Sequence, residues 1–166
     1  MKVKATSANK VNGKLIKYKR GDCLSINCNN GKYIGAFISE KFNNYYDLTL
    51  IEYYEDHKPA LYHFTDGRFW GTRFGTWESL AYAVDKKMAL VNYIDGHKGI
   101  EVVGELSLIK TLEKASYSYI NTITALHDYY VDEITIRVQK TQNVENYPDL
   151  AFMSKHLLSM KSIINL

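Results

Sequence analysis

Cys23-Leu24-Ser25-Ile26-Asn27-Cys28-Asn29-Asn30-Gly31-Lys32-Tyr33-Ile34-Gly35-Ala36-Phe37-Ile38-Ser39-Glu40 is the stretch on which the reading of the fold turns. Leu24, Ile26 and Cys28 share one parity and mostly polar groups take the other, which is the alternation of a half-buried strand. Asn30-Gly31 then supplies residues that tolerate the positive φ of a hairpin turn. The partner strand runs over 33–40, and Gly35 inside it predicts a bulge or the close approach of another backbone. On either side, Arg20-Gly21-Asp22 and Lys41-Phe42-Asn43-Asn44 read as turns. A third strand over 45–54 is rich in Tyr, Leu, Ile and Thr. The result is an N-terminal antiparallel β-meander or a small SH3-like barrel.

Further along, Pro59 and Asp66-Gly67 punctuate the chain, with a short strand expected over 60–64. Residues 88–94 read as another strand, and 100–103 as its partner across His97-Lys98-Gly99. From Tyr119 the period changes. Ile120, Ile123, Leu126, Tyr130 and Ile134 recur at helical spacing and predict a helix over 116–130. Residues 133–140 read equally as helix or strand. Pro148-Asp149 opens a last helix, with Leu150, Met153, Leu157, Met160 and Ile164 as its apolar stripe. The fold class is therefore α+β, with C-terminal helices packed against the sheet. No repeat or linker divides residues 1–166, which read as a single domain with a basic N-terminal arm over about 1–17.

Composition agrees with a globular chain: 46% of residues are hydrophobic and 23% charged. The fourteen tyrosines suit half-buried sheets and contact surfaces, although an AT-rich coding sequence accounts for them equally. Seven of the 21 basic residues lie in the first twenty positions, where there is no acid. That leaves fourteen basic against eighteen acidic residues, a net of −4, for the rest. Such an arm suits contact with nucleic-acid or membrane phosphates, or is a solvated end. Cys23 and Cys28 sit five apart on one strand and point to opposite faces, so they read as free thiols in a reducing compartment. No apolar run resembles a signal peptide or reaches membrane-spanning length, and the expected location is cytoplasmic, with no membrane partner.

The residues that carry chemistry are dispersed. His57 and His63 flank Pro59, with Glu55 and Asp56 just before them, but their spacing fits no metal or catalytic motif. His97 sits in a Gly-flanked turn. His127-Asp128 has the residue types of a base and its orienter, yet adjacent helical residues do not face one another. His156 lies in the predicted last helix. Neither cysteine has a neighbour that lowers its pKa. No catalytic residue, metal site or cofactor is expected.

Two segments look like contact surfaces instead. Phe64 to Trp77 interleaves five aromatics with Arg68 and Arg73, and its glycines recur every four residues. Phe69, Trp70 and Phe74 with these arginines suit stacking on single-stranded nucleic acid, or anchoring a protein; core aromatics are the alternative. Glu40, Asp47, Glu52, Glu55 and Asp56 fall within seventeen residues that hold one basic residue, Lys41. They form an acidic rim that would steer a basic partner, with sheet tyrosines such as Tyr53 beside it, or a solvated edge that discourages aggregation.

Tyr18-Lys19-Arg20-Gly21-Asp22-Cys23-Leu24-Ser25-Ile26, followed by Asn30-Gly31-Lys32-Tyr33-Ile34-Gly35-Ala36-Phe37-Ile38, resembles the opening of immunity-protein family 26 of bacterial polymorphic toxin systems. Ile100-Glu101-Val102-Val103-Gly104-Glu105-Leu106-Ser107-Leu108 is similar to that family's later segment. The likeness covers about half of the chain and leaves out the C-terminal part. It implies a non-enzymatic protein that binds and neutralises a cognate toxin by occlusion. The alternatives are a nucleic-acid-binding small β-barrel resting on the basic arm and Arg68, Trp70 and Arg73, and a metal-dependent hydrolase using His57 and His63.

Overall fold

The computed structural model describes residues 10–11, 14–75, 80–110, 112, 114–120, 122–134 and 153–165. A small hairpin, β1 (Lys10–Val11) with β2 (Lys14–Leu15), precedes the main sheet. The predicted meander is present as β3 (Asp22–Asn27), β4 (Tyr33–Lys41) and β5 (Tyr45–Glu55). After it come α1 (Leu61–Thr65), β6 (Arg68–Gly75), β7 (Leu80–Leu90), α2 (Val91–Ile94), β8 (Ile100–Glu105) and β9 (Lys114–Ile120). Then α3 (Ile123–Asp128) runs into a π-type turn over Tyr129–Ile134, and β10 (Met153–Ser159) ends in a 3-10 turn over Met160–Ser162. Among the described residues the sheet order is β10-β6-β7-β5-β4-β3-β8, with β9 parallel to β7 off this path. It is a mostly antiparallel β-sheet with a few short helices.

The β3–β4 turn is wider than Asn30-Gly31 alone implies. Cys28 N–H donates to Lys32 O at 3.0 Å, and positive φ falls at Asn29 (60°) and Gly31 (84°). Asn27 and Asn30 side chains accept from the N–H groups of Asn29 and Lys32, each at 2.9 Å, the local bonding that makes Asn a turn residue. Of the two expectations for Gly35 the bulge is present, while the close approach comes from a side chain and not from another backbone. The ladder slips between Ile34 and Ala36, and a Cβ on Gly35 would stand 2.8 Å from two carbons of the buried Ile51 side chain.

The meander is buried on both faces rather than one. Even positions Leu24, Ile26, Ile34, Ala36, Ile38, Tyr46, Leu48 and Leu50 face one core, closed by Tyr18, Ile94, Ile123, Leu126 and Tyr130. Odd positions Cys23, Phe37, Ile51 and Tyr53 face a second, closed by Phe64, Leu106, Leu108, Met160 and Ile163. Each large apolar side chain so buried contributes about 1.5–3 kcal/mol. The basic arm is not wholly solvated either: Gly96 N–H donates to Ile16 O, and Tyr18 is buried.

Several expectations are corrected. Residues 60–64 are not a strand: α1 begins at Leu61, just after Pro59, and Ala60 N–H donates to His63 Nδ1 at 2.9 Å. The strand expected over 88–94 ends at Leu90, where Val91 N–H turns to Asn44 O and a helical turn starts. Residues 100–105 pair with β3, not with that strand. The helix predicted over 116–130 is divided. Lys114–Ile120 alternates as a strand along β7, and helix resumes once Thr122 Oγ1 caps Ala125 N–H at 3.0 Å. Met153–Ser159 is a strand despite its helical stripe, because the edge of β6 offers a seven-residue ladder from Met153↔Phe74 to Ser159↔Arg68. Glu133 and Ile134 belong to the π-type turn, while 135–140 and 148–152 lie outside the described residues.

The segments that follow the two outermost strands, β8 and β10, meet at the second core. Leu108 bridges Ile164, and Ile109 N–H donates to Ile163 O at 2.9 Å. At the head of β3, Gly21 N–H donates to Ile38 O at 2.8 Å, and Leu106 N–H donates to Gly21 O at 2.7 Å. Gly21 has φ +95°, and a Cβ there would lie 2.4 Å from Leu106 O. Gly21→Ala is expected to lower unfolding stability by about 2–4 kcal/mol. Urea denaturation measures it, and a loss below about 0.5 kcal/mol would contradict this account of the stitch.

Candidate functional site

Consecutive residues of a strand point to opposite faces, and β5 ends on two tyrosines that build a cluster on each side. Tyr53 is buried toward the second core, and its hydroxyl donates to His57 O at 2.6 Å. The His57 and His63 rings stand 5.9 and 4.8 Å from it, and Tyr62 lies on His63 at 4.0 Å between centroids. His63 Nδ1 is occupied by the Ala60 N–H, and His57 Nδ1 is 3.0 Å from Asp56 Oδ1. That contact with His57 holds the Asp56 carboxyl below its usual range. The two histidines thus pack against one phenol ring and do not converge on a common ion. Around them Glu55, Asp56, Leu61 and Tyr62 are exposed, Tyr62 by 61%.

On the opposite face the Tyr54 hydroxyl lies 2.8 Å from His127 Nε2 and accepts from Asn30 Nδ2 at 3.1 Å. His127 Nδ1 is 3.0 Å from Asp128 Oδ1. Adjacent residues in a continuing α-helix would not meet. Here α3 ends at Asp128 and the backbone widens into the π-type turn, so the carboxylate reaches the ring. With Asp128 as acceptor, Nδ1 carries the proton and Nε2 accepts from Tyr54. The chain of bonds locks α3 onto the β3–β4 turn. In the sequence Asn30 reads only as a turn residue and Tyr54 only as part of a strand, because their partner lies on a helix many residues away.

The expected contact residues are divided by burial. Asp47 is fully buried: its position on β5 shares the inward face of Ser39 and Thr49, and Ser39 Oγ donates to Asp47 O at 3.2 Å. It is no part of an acidic rim. Tyr53 is buried beneath α1, and Trp70 is buried with its ring edge-on to Tyr130 at 6.1 Å. Arg68 is exposed but holds Glu52 in a two-pronged ion pair, its Nη2 2.8 Å from Oε1 and 2.9 Å from Oε2. Glu40 pairs with Arg20 at 3.7 Å. Arg73 is placed on β6 opposite Tyr82, and its side chain is outside the described set. Phe64, Phe69 and Trp70 belong to the core, so this part of the aromatic segment offers no stacking platform.

Of the remaining histidines and cysteines, His97 is held in a turn and both thiols are free and at least partly covered. His97 Nδ1 accepts from Gly99 N–H at 2.9 Å, and burial lowers its pKa. His156 lies on β10 opposite Gly71. Cys23 and Cys28 are free, and burial pushes their thiols up to about 12 and about 11. Among the described residues no helix is long and apolar enough to cross a membrane. No protein-family model, curated protein or solved structure matches this chain.

Neither thiol should react with a disulfide reagent near pH 8 in the native protein, and both should react in denaturant; rapid native labelling would contradict their burial. Burial likewise raises Tyr18, Tyr53 and Tyr130 to about 12 and lifts Tyr46 above its ordinary value. These phenols and thiols ionise at 10.0 and 9.0 when unfolded, so the unfolded state loses protons first. Their contribution is complete below about pH 9 and is lost as pH rises toward 12. The urea midpoint should therefore fall between about pH 9 and 12, with tyrosinate absorbance rising as the protein unfolds. A flat midpoint across that window would refute this.

Proposed function

We propose that this chain is a non-enzymatic immunity protein that binds and neutralises a cognate bacterial toxin by occlusion. Its contact surface in this reading is the end of β5 with α1. The observation that supports it is the exposure, side by side, of Glu55, Asp56, Leu61 and Tyr62 around the Tyr53–His57–His63 stack. An exposed tyrosine and leucine on a rigid aromatic base make suitable anchors for a protein partner. The flanking carboxylates complement a basic toxin and speed encounter. Among the described residues Glu52 is neutralised by Arg68 and Glu101 by Lys58, whereas Glu55 and Asp56 stand exposed at this end with only His57 beside Asp56. The resemblance of 18–38 and 100–108 to immunity-protein family 26 points the same way. The bridge between Leu108 and Ile164, in the segments after β8 and β10, also favours the small barrel expected for such a domain.

Co-expression with the toxin encoded beside it tests the reading. The wild-type chain should abolish killing. Tyr62→Ala should weaken toxin binding by about 30-fold or more, as loss of an anchor does. Glu55→Lys with Asp56→Lys should slow association about tenfold, with the loss shrinking at high salt. Unchanged killing in the presence of the wild-type chain would sink it.

A further inference from the structure

Away from this surface, where α2, α3 and the β3–β4 turn meet, lies a cavity of about 380 Å³. Its lining has two chemistries. Ile94, Ile120 and Ile123 are buried side chains of the first core and form an aliphatic floor. Asn29, Asn92 and Thr124 surround it with amide and hydroxyl groups able both to donate and to accept. Tyr93, 47% exposed, stands at the rim as an aromatic face. His97 also lines it. Its Nδ1 is an acceptor for Gly99 N–H, which makes Nε2 the protonated nitrogen, and burial keeps the ring neutral at pH 7.

We propose that this cavity binds a neutral planar heterocycle of the nucleobase class, free or as its nucleoside. The mix of groups selects for it. A planar base has two apolar faces for the isoleucines and tyrosine, and an edge of alternating donors and acceptors for the asparagines. A sugar would press its hydroxyls against the aliphatic floor, leaving them unsatisfied. A purely aliphatic ligand would instead strip water from the amides without replacing their bonds. Among the described residues the lining carries no formal charge with His97 neutral, so a phosphate would meet no counter-ion from them. The volume is within the range of small-ligand sites and takes a base with its ribose. Binding here would also bear on the Tyr54 network, since Asn29 precedes Asn30, and Thr124 shares α3 with His127.

Isothermal titration of the full chain with adenosine, guanosine, cytidine and uridine, their 5′-monophosphates and glucose tests the proposal. At least one nucleoside should bind with a dissociation constant on the order of 10–100 µM. Its monophosphate should bind about tenfold more weakly or worse. Asn92→Ala should weaken binding about tenfold, and Thr124→Trp, which fills the cavity from an exposed position, should abolish it. In the wild-type chain the methyl NMR signals of Ile94 and Ile123 should shift on titration, which reads the site without a variant. Glu55→Lys should leave nucleoside binding unchanged, separating this site from the toxin surface. The proposal is overturned if no nucleoside binds, if glucose or the monophosphate binds as tightly, if folded Thr124→Trp still binds, or if the methyl shifts lie elsewhere.

Discussion

A sheet whose central strands are apolar on both faces must be covered twice, and this requirement organises the molecule. β4 and β5 offer Ile34, Ala36, Ile38, Leu48 and Leu50 to one side, and Phe37, Ile51 and Tyr53 to the other. Among the described residues no single helix or hairpin covers both. The first core is closed by Tyr18, Ile94 and α3, and the second by α1, the segment after β8 and the turn after β10. Most of these pieces are short because each needs only to bury a few side chains over part of the sheet. Their attachment then rests on individual hydrogen bonds. Tyr46 is the clearest case: its hydroxyl accepts from Tyr18 N–H at 3.2 Å and donates to Asp95, tying the N-terminal strap and the end of α2 to β5.

The same demand shapes the polar surface. Among the described residues five carboxylates on the sheet are answered locally: Asp22 by Lys19, Glu40 by Arg20, Glu52 by Arg68, Glu101 by Lys58 and Glu105 by Lys19. Exposed pairs of this kind add little stability, about 0–1 kcal/mol each. Their larger effect is to remove negative field from most of the sheet. Glu55 and Asp56 stay exposed, beside a tyrosine held on a stack of histidine and tyrosine rings. In the proposed reading recognition and packing share residues, since Tyr53 is core on one side of the strand and supports the exposed residues at its end. One residue on, Tyr54 serves the opposite face through His127.

Local pattern made the meander legible. Period-two alternation placed β3, β4 and β5, and Gly21, Asn29, Gly31 and Gly35 act through backbone conformation or close approach, which depend on residue type at one position. The separation of Cys23 from Cys28 follows from the same parity. Elsewhere the period was short or ambiguous, and long-range pairing decided the outcome. Lys114–Ile120 became a strand because β7 lay beside it, although the helical spacing that starts at Ile120 was extended back over it. Met153–Ser159 became one because β6 had an open edge, although Met153 and Leu157 stand at helical spacing.

For the sites, the sequence by itself determined which residue types were at hand: acids and histidines near the end of β5, and tyrosines along it. Only the tertiary structure decided which were available. It buried Asp47, Tyr53 and Trp70, engaged Glu52 with Arg68, and brought His127 and Asp128 to Tyr54. It also assembled the cavity from three segments distant in the chain. The physical reason is range. Turn conformation and strand parity are properties of a few neighbouring residues, whereas burial, ion pairing and cavities depend on which distant segment covers which face of the sheet.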